Sequence, residues 1–320
     1  MHERPLGSTG LRVSALGLGT LTWGRDTDAD DAATLLRDFV DAGGTLVDTA
    51  ASYGDGAAEE LLGELVGSLV GRDDVVLCSK TGVRRTADGG VVDASRRTLL
   101  SGLDASLRRL GTDHLDLWLV QAPDPGTPLE ETVGALRYAL DTGRAAYVGL
   151  SNHPGWATAR AAGLLEPAHR LAAVQVEYSL LERGVEREVV PAAAALGAGL
   201  LAWSPLGRGV LTGKYRRTVP ADSRAASAHL AGFVAPYLGA DAAPVVDALV
   251  TAAEGLETSP LEVALAWVLG RQQVAAAVVG PRTPAQLTAA LDARLDLPDA
   301  IVAALDEVSA PAVGYPERRA

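Results

Sequence analysis

Three side chains in the first eighty residues could together carry out proton chemistry. The stretch 45–54 reads TLVDTAASYG, where a short apolar strand is predicted to end at Asp48 and a loop to carry Tyr53. A second apolar run, 75–79, ends directly before Lys80. The pKa of a phenol is about 10, and a neighbouring ammonium group lowers it by stabilising the phenolate. The pattern therefore predicts a tyrosine that donates a proton, a lysine that tunes its pKa, and an aspartate that holds the lysine.

Each of these residues also has a purely structural interpretation. An aspartate at a strand end is often a turn or capping residue, and a tyrosine in a loop is often a half-buried aromatic. The chain contains only two lysines, Lys80 and Lys214. Because lysine is so rare in this chain, composition alone does not account for its occurrence at the end of a predicted strand. The three residues together favour the chemical interpretation.

Composition narrows the class of protein. The 320 residues are 48% hydrophobic and carry a formal net charge of −12, which argues against binding to nucleic acid or to an anionic membrane. The single cysteine, Cys78, excludes an internal disulfide and is typical of a reducing compartment. No signal peptide is recognised at the first residues, and no apolar run reaches the roughly 18 residues of a membrane helix. A soluble, cytoplasmic protein with one domain over 1–320 is expected.

Apolar strand patterns alternate with helical patterns along most of the chain. Such alternation predicts a parallel sheet, and eight strands predict a closed (β/α)8 or TIM barrel. A long loop, 204–239, is expected after the seventh strand, a polar loop at 81–93 after the third, and an extra C-terminal helix at 298–308. The predicted strands are 13–20, 45–47, 75–79, 115–120, 145–150, 171–176, 199–203 and 275–279.

An open, doubly wound sheet is the alternative to the barrel. It would require Gly-x-Gly-x-x-Gly after the first strand, and Gly17, Gly19 and Gly24 do not have that spacing. In a barrel, the polar residues at the carboxyl ends of the strands form the site. Here these are Asp48, Tyr53, Lys80, Gln121, Ser151, Asn152, Gln175 and Trp203.

Several longer motifs resemble those of the aldo-keto reductase superfamily. They are LGSTGLRVSALGLGT (6–20), DAGGTLVDTAASYG (41–54), SLRRLGTDHLDLW (106–118), GLSN (149–152), QVEYSLL (175–181) and AWSPLGRGVLTGKY (202–215). The resemblance extends over roughly residues 6–295. It implies an NADPH-dependent reductase that converts a small-molecule aldehyde or ketone to an alcohol, with hydride from the nicotinamide C4 atom.

The resemblance also implies a role for each matching residue. Tyr53 is expected to donate the proton, with Lys80 as its pKa partner and Asp48 supporting Lys80. Ser151, Asn152 and Gln175 match residues that hold the nicotinamide carboxamide. The full cofactor set expected on this basis is Ser151, Asn152, Gln175, Trp203 (stacked on the nicotinamide), Ser204, Pro205, Leu206, Gly209, Lys214 (with the preceding loop, over the pyrophosphate), Gly280, Arg282 and Gln286.

The sequence around residues 282–286 independently indicates a site for the end of the cofactor that lies away from the nicotinamide. Thr283 and Pro284 are typical of a helix start, and a helix N-terminus flanked by Arg282 is suited to an anion. Plain capping with a solvated arginine is the alternative. With the resemblance, NADPH is favoured, with Arg282 on its 2′-phosphate and Gln286 nearby. The usual Glu-Asn pair of the family is replaced here by Ala289-Ala290.

A larger departure is Gln121, which stands where the family has its fourth catalytic residue, a histidine. A glutamine amide can donate a hydrogen bond to a carbonyl oxygen, but it cannot carry a positive charge or relay a proton. His153 does not match that position; it is expected at the border of the substrate pocket, whose walls are predicted to include Trp23 and Trp118. Gln121 leaves two alternatives open: reduction of an activated C=C bond or keto-sugar nucleotide, and a non-catalytic NADPH-binding regulator like the potassium-channel β subunits.

Overall fold

The structure is a computed structural model that describes residues 1–86, 89–221, 223–293, 295–312 and 314. A closed barrel of parallel strands lies at its centre, which confirms the predicted (β/α)8 fold. Its strands, in order around the barrel, are β3 (Leu16–Gly19), β4 (Leu46–Asp48), β5 (Val76–Thr81), β8 (Leu115–Val120), β9 (Ala145–Ser151), β10 (Ala173–Glu177), β11 (Gly199–Trp203) and β12 (Val274–Val279), which pairs with β3.

Two antiparallel hairpins stand outside the barrel sheet. The first pairs β1 (Glu3–Pro5) with β2 (Arg12–Ser14), so the predicted first strand, 13–20, is in fact split between β2 and β3. The second pairs β6 (Val83–Thr86) with β7 (Gly89–Val92), where a polar loop was predicted. In β7 two glycines are followed by two adjacent valines, Val91 and Val92, so its sequence lacks the alternating apolar pattern that predicts a strand.

The helices surround the barrel and follow the predicted alternation closely. They are α1 (Ala29–Asp41), α2 (Ala57–Leu65), α3 (Arg96–Leu110), α4 (Leu129–Asp141), α5 (Gly155–Leu165), α6 (Val189–Leu196), α7 (Ala231–Val234), α8 (Ala243–Gly255), α9 (Pro260–Leu269), α10 (Pro284–Leu291) and α11 (Asp299–Val308). The last of these is the predicted extra C-terminal helix. In the described part of the chain, no helix has both the length and the apolar character needed to cross a membrane.

The long connection after β11 is partly helical. Residues 204–239, apart from Asp222, which the description omits, contain 3-10 turns at Gly207–Thr212, Arg224–Ala226 and Ala235–Tyr237, together with α7. We call this stretch the covering segment, because its residues line the cavity at the carboxyl ends of the strands. Its glycines and polar residues predicted a loop, and its short helical turns lack a periodic apolar face.

Two apolar cores fix the barrel. The larger lies between the strands and the surrounding helices, while the smaller fills the barrel interior and includes Leu6, Leu46, Cys78, Leu117 and Leu201. Cys78 pairs in register with Asp48 of β4, and Lys80 is two residues further along β5. Because side chains two apart on a strand share a face, Lys80 points into the barrel end above Cys78.

Candidate active site

A cavity of about 870 Å³ opens at the carboxyl ends of the barrel strands. Its wall contains every residue predicted as catalytic or cofactor-binding, from Asp48, Tyr53, Lys80 and Gln121 to Arg282 and Gln286. The fold brings these residues together because parallel barrel strands all end on the same side. Their common location is therefore observed, while their individual roles remain predictions.

Lys80 is the centre of the polar cluster. Its ammonium group donates hydrogen bonds to both carboxylate oxygens of Asp48, at 2.7 Å each, and to the carbonyl oxygen of Thr49 at 2.8 Å. The side chains of Lys80 and Asp48 are only 2% and 4% exposed. The Lys80 Nζ atom lies 5.2 Å from the centre of the Tyr53 ring. The predicted contact between the three residues is thus present.

The net shift of the Tyr53 pKa is opposite to the sequence expectation. Burial raises the pKa of Tyr53 above its ordinary value, and the positive charge and hydrogen bond of Lys80 only partly oppose that rise. Burial also disfavours the Lys80 cation, but the Asp48 carboxylate outweighs it and raises the Lys80 pKa. The sequence shows which charge faces the phenol, but not how completely the phenol is removed from water. Tyr53 is therefore held protonated and Lys80 charged.

Gln175 contacts the acid of this cluster. Its side-chain amide donates a 2.7 Å hydrogen bond to Oδ1 of Asp48, and both groups are buried. In the register of β9, β10 and β11, Gln175 lies opposite Ser151 and Leu201. A contact with the nicotinamide carboxamide is the predicted role of Gln175; what the structure shows is that its side chain holds the Asp48 carboxylate.

Gln121 is held by a neighbour that the sequence did not indicate. The Ser52 hydroxyl lies 3.0 Å from Oε1 and 2.8 Å from Nε2 of Gln121, and both residues line the cavity. The main-chain oxygen of Gln121 accepts a 2.9 Å bond from the Asn152 side chain. An amide nitrogen carries two hydrogens. One Gln121 N–H therefore bonds Ser52 while the other is available to a ligand.

The Trp203 side of the cavity is built from β11 and the covering segment. The indole Nε1 of Trp203 donates a 3.0 Å bond to Oδ1 of Asn152. Its ring stacks with that of Phe233 at a centroid distance of 6.3 Å and an interplanar angle of 20°. Arg208 lies against Phe233, with its guanidinium carbon 4.1 Å from the ring centre. Trp203 was predicted to face a bound ring, whereas Phe233 and Arg208 were not predicted individually.

Positively charged side chains gather where the covering segment meets the chain after β12. Arg224, on the covering segment, donates to the carbonyl oxygen of Gly280, directly after β12. Burial lowers the pKa of Arg224, and the neighbouring charge of Arg282 lowers it further. The Thr283 hydroxyl caps α10 by accepting from the backbone N–H of Gln286, as the sequence predicted. Two adjacent cations beside a helix N-terminus favour an anionic ligand.

The three residues predicted for the substrate pocket lie elsewhere. Trp23 and Trp118 are fully buried in the core between strands and helices, and neither lines the cavity. The Trp118 indole donates to the Thr81 hydroxyl, so its polar atom is satisfied inside the protein. His153 lines a neighbouring depression of about 750 Å³ that shares Asn152 and Trp203 with the main cavity. None of the three side chains lines the main cavity, and the sequence position of a residue near a strand end does not by itself determine whether its side chain enters the site.

Four cavity residues stand out among those that sequence reasoning missed: Ser52, Arg208, Arg224 and Phe233. Ser52 directly precedes Tyr53 in the loop after β4. A hydroxyl next to the predicted proton donor is the sequence signal that could have identified it. The other three lie on the covering segment. Its length predicted a functional role, but which of its side chains turn inward depends on irregular backbone, including a left-handed φ of 57° at Arg208.

These features define the class of protein. A family model described as the Aldo/keto reductase family matches residues 15–310, and the chain belongs to that family. A probable voltage-gated potassium channel subunit beta from Oryza sativa subsp. japonica is 35% identical over 329 aligned positions, covering 99% of this chain and 98% of that protein. The uncharacterized oxidoreductase YrpG of Bacillus subtilis (strain 168) is also 35% identical, covering 90% of this chain and 89% of its own length.

Proposed function

We propose that this protein is an oxidoreductase that reduces the carbonyl group of an aldehyde or ketone with NADPH. One observation carries the proposal: a tyrosine held protonated by burial lies beside a buried lysine–aspartate pair inside a large cavity. This is the arrangement that a proton donor needs at the point where negative charge develops on a substrate oxygen. Membership of the Aldo/keto reductase family supports it.

The cavity suits a dinucleotide cofactor by its volume of about 870 Å³ and by its hydrogen-bond donors. Its wall carries the cations Arg224, Arg282 and Lys214, together with the amides of Asn152 and Gln175 and the indole of Trp203. A Cβ atom on Gly280 would lie 2.9 Å from Nη2 of Arg224, so this glycine leaves room for the arginine. The positive charge of Arg282 lowers the pKa of Arg224, and phosphate groups bound beside the two arginines would relieve that repulsion. The residues present therefore fit NADPH.

When bound, a nicotinamide cofactor supplies the hydride. The protein's own residues then have three tasks. Trp203 and Asn152, joined by a hydrogen bond, provide a fixed surface and amide at the ring end of the cavity. The Tyr53 hydroxyl holds the proton that the developing alkoxide receives, and the Lys80 cation stabilises the phenolate that remains. Asp48, bonded by both Lys80 and Gln175, keeps that cation in place.

Gln121 supplies a neutral donor in place of an imidazole. Its free amide hydrogen can bond the carbonyl oxygen of the substrate, while Ser52 and the backbone of Thr81 hold it in position. A neutral donor polarises the carbonyl without contributing a titrating group. Tyr53 is then the group whose ionisation controls the proton step.

Isothermal titration with NADPH and NADH tests the cofactor assignment without depending on turnover. The native protein is expected to bind NADPH more tightly than NADH, and Arg282→Ala to remove that preference. The matched control is Arg216→Ala, whose partner is the exposed Asp247. Equal affinity for the two cofactors, unchanged by Arg282→Ala, would contradict the assignment.

A second function is favoured by Gln121 and by the relatives. Three curated relatives are named as probable or putative voltage-gated potassium channel β subunits, from rice, Arabidopsis thaliana and Schizosaccharomyces pombe. The corresponding proposal for this chain is an NADPH-binding regulator without turnover. The intact Asp48, Tyr53 and Lys80 cluster favours the enzyme. Tight NADPH binding with no oxidation by any aldehyde, ketone, enone or keto-sugar nucleotide would favour the regulator.

A further inference from the structure

We propose that Arg208 is a positioning residue that holds Trp203 and Phe233 as one rigid wall of the cavity, and that this wall determines how tightly a flat ring binds there. The inference rests on the proposed function, because it concerns the ring end of the same cavity. All three residues line that cavity. Arg208 is not assigned to proton or hydride transfer; it acts through the rings that it contacts.

The first half of the argument is a bidentate ion pair. Nε and Nη2 of Arg208 donate to the two carboxylate oxygens of Glu177 at 2.8 and 2.6 Å. Glu177 is the last residue of β10 and pairs in register with Trp203 of β11. The Arg208 and Glu177 side chains are only 16% and 12% exposed. A two-point contact between planar groups fixes the plane of the guanidinium, which a lysine could not reproduce.

The second half is what the fixed guanidinium touches. Its Nη1 donates to the carbonyl oxygen of Phe233 in α7, and its carbon lies 4.1 Å from the Phe233 ring centre. The same carbon lies 5.8 Å from the ring centre of Trp203. Cations in this range are attracted to aromatic faces. One side chain therefore joins the end of β10, the Trp203 ring and the covering segment.

Tyr237 adds to the same cluster from outside the cavity. Its ring centre lies 4.9 Å from the guanidinium carbon of Arg208. The backbone of Arg208 has φ 57° and ψ 24°, a left-handed conformation that residues other than glycine rarely adopt. A non-glycine residue kept at such a position indicates that its side-chain contacts outweigh the strain.

The wall has a direct consequence for binding. Trp203 is held on its indole nitrogen by Asn152 and across its rings by Phe233 and Arg208, so little rotational freedom remains to be lost when a ligand stacks on it. Preorganisation of this kind increases affinity by reducing the entropy cost of binding. The ligand chemistry is a flat conjugated ring, supplied either by the nicotinamide or by an aromatic carbonyl substrate.

The experiment compares Arg208→Lys, Glu177→Gln and their combination with native protein and with Arg216→Ala. Arg216 is a matched control, since it lies on the same covering segment and pairs with Asp247 at 42% and 60% exposure. The measurements are the Kd of NADPH and the KM of benzaldehyde and of an aliphatic aldehyde of similar size. Thermal unfolding monitored by circular dichroism establishes whether each variant is folded. If Arg208→Lys does not fold, the measurements on Glu177→Gln decide the test.

Arg208→Lys is expected to raise the Kd of NADPH or the KM of benzaldehyde by about tenfold or more, with Arg216→Ala within twofold of native. A change in Kd identifies the ring as nicotinamide, and a change in the KM of benzaldehyde alone identifies it as the substrate. The Kd and KM of the double variant should be no higher than those of Arg208→Lys, because both substitutions break the same Arg208–Glu177 ion pair.

Two results would overturn the inference. One is a Kd and a benzaldehyde KM that both stay within twofold of native in Arg208→Lys and Glu177→Gln. The other is an equal rise for the aliphatic and aromatic aldehydes with no change in the Kd of NADPH, which would mean that Arg208 only supports the fold. If the native protein binds no NADPH, the proposed function fails separately. Weaker benzaldehyde binding by Arg208→Lys, measured by saturation-transfer NMR, would then still support the wall, and unchanged binding would refute it.

Discussion

The ammonium group of Lys80 lies 2.7 Å from each carboxylate oxygen of Asp48, at a depth where neither side chain is more than 4% exposed. Two opposite charges removed from water stabilise each other only as a pair, because each alone would carry a large desolvation cost. Gln175 and the carbonyl oxygen of Thr49 supply the further hydrogen bonds that such a pair requires. The pair therefore keeps a positive charge beside Tyr53, and the loss of either partner should lower the free energy of unfolding.

Removing one partner should destabilise the protein more than removing both. Asp48→Asn leaves a buried cation with a neutral partner, and we expect the free energy of unfolding to fall by about 3–5 kcal/mol. Asp48→Asn combined with Lys80→Met should cost less than the single substitution, since no uncompensated charge remains. Urea unfolding measures both, with Asp247→Asn on the exposed Arg216 pair as a control expected within about 1 kcal/mol of native. A double variant less stable than Asp48→Asn would contradict this interpretation.

The pH dependence of reduction follows from the Tyr53 pKa. Burial raises that pKa above about 10, so the donor proton is present through neutral and mildly basic pH and is lost only as the pH rises beyond the ordinary phenol value. The Lys80 pKa is also raised, so its charge persists over the same range. We expect kcat/KM for an aldehyde to be level from pH 6.5 to 9 and to fall above about 10. A fall centred between pH 7 and 8.5 would show that the Tyr53 pKa is lowered instead.

The sequence predicted the parts of the site that regular strands position. Asp48, Lys80 and Gln175 lie on barrel strands, where period-two alternation and the common direction of the strands determine which way side chains point. Trp118 shows the limit of that reasoning, because it is also on a strand but faces the helices and bonds Thr81. Ser52, Arg224 and Phe233 depend on irregular loops. Their placement arises from contacts made by the whole fold, which no local pattern specifies.

Gln121 should act as a neutral donor to the substrate oxygen. Gln121→Leu removes the whole side-chain amide, including the hydrogen proposed to bond the substrate oxygen. We therefore expect kcat/KM for an aldehyde to fall by about 10- to 100-fold. The Kd of NADPH should change by less than twofold. Ser52→Ala, which frees the Gln121 side chain without deleting it, should give a smaller fall of about twofold to tenfold. Steady-state kinetics with a benzaldehyde derivative measures each value, and full activity in Gln121→Leu would exclude a role for the amide.

The arginine pair should determine cofactor affinity. Hydrogen bonds to charged groups contribute roughly 1.5–3 kcal/mol, so Arg224→Ala should raise the Kd of NADPH by about 10- to 100-fold. High salt should weaken NADPH binding to the native protein more than to this variant, because fewer charges remain to be screened. Calorimetric titrations at two salt concentrations measure the difference. A Kd that is unchanged in Arg224→Ala would place the phosphate groups elsewhere.

His153 should make the fold sensitive to mild acid. Burial lowers its pKa below the ordinary value of about 6.5, partly offset by the hydrogen bond between Nδ1 and the carbonyl oxygen of Ser151. The unfolded chain therefore binds a proton more readily than the folded one, and stability is lost as the pH falls below about 6.5. His153→Gln should reduce the drop in melting temperature between pH 7.5 and 5.5. The exposed His229→Gln is the control, and an equal drop in all three proteins would contradict the prediction.

The most direct measurement follows NADPH oxidation with an activated aromatic aldehyde in native protein and in Tyr53→Phe. This substitution removes the hydroxyl that holds the proton and keeps the ring beside Lys80. We expect turnover in the native protein and a fall of about 100-fold or more in Tyr53→Phe, consistent with the loss of a positioned general acid, with the Kd of NADPH unchanged. Equal turnover in the two proteins would show that Tyr53 is not the proton donor. Tight NADPH binding with no turnover in the native protein would contradict the enzyme and support the regulator.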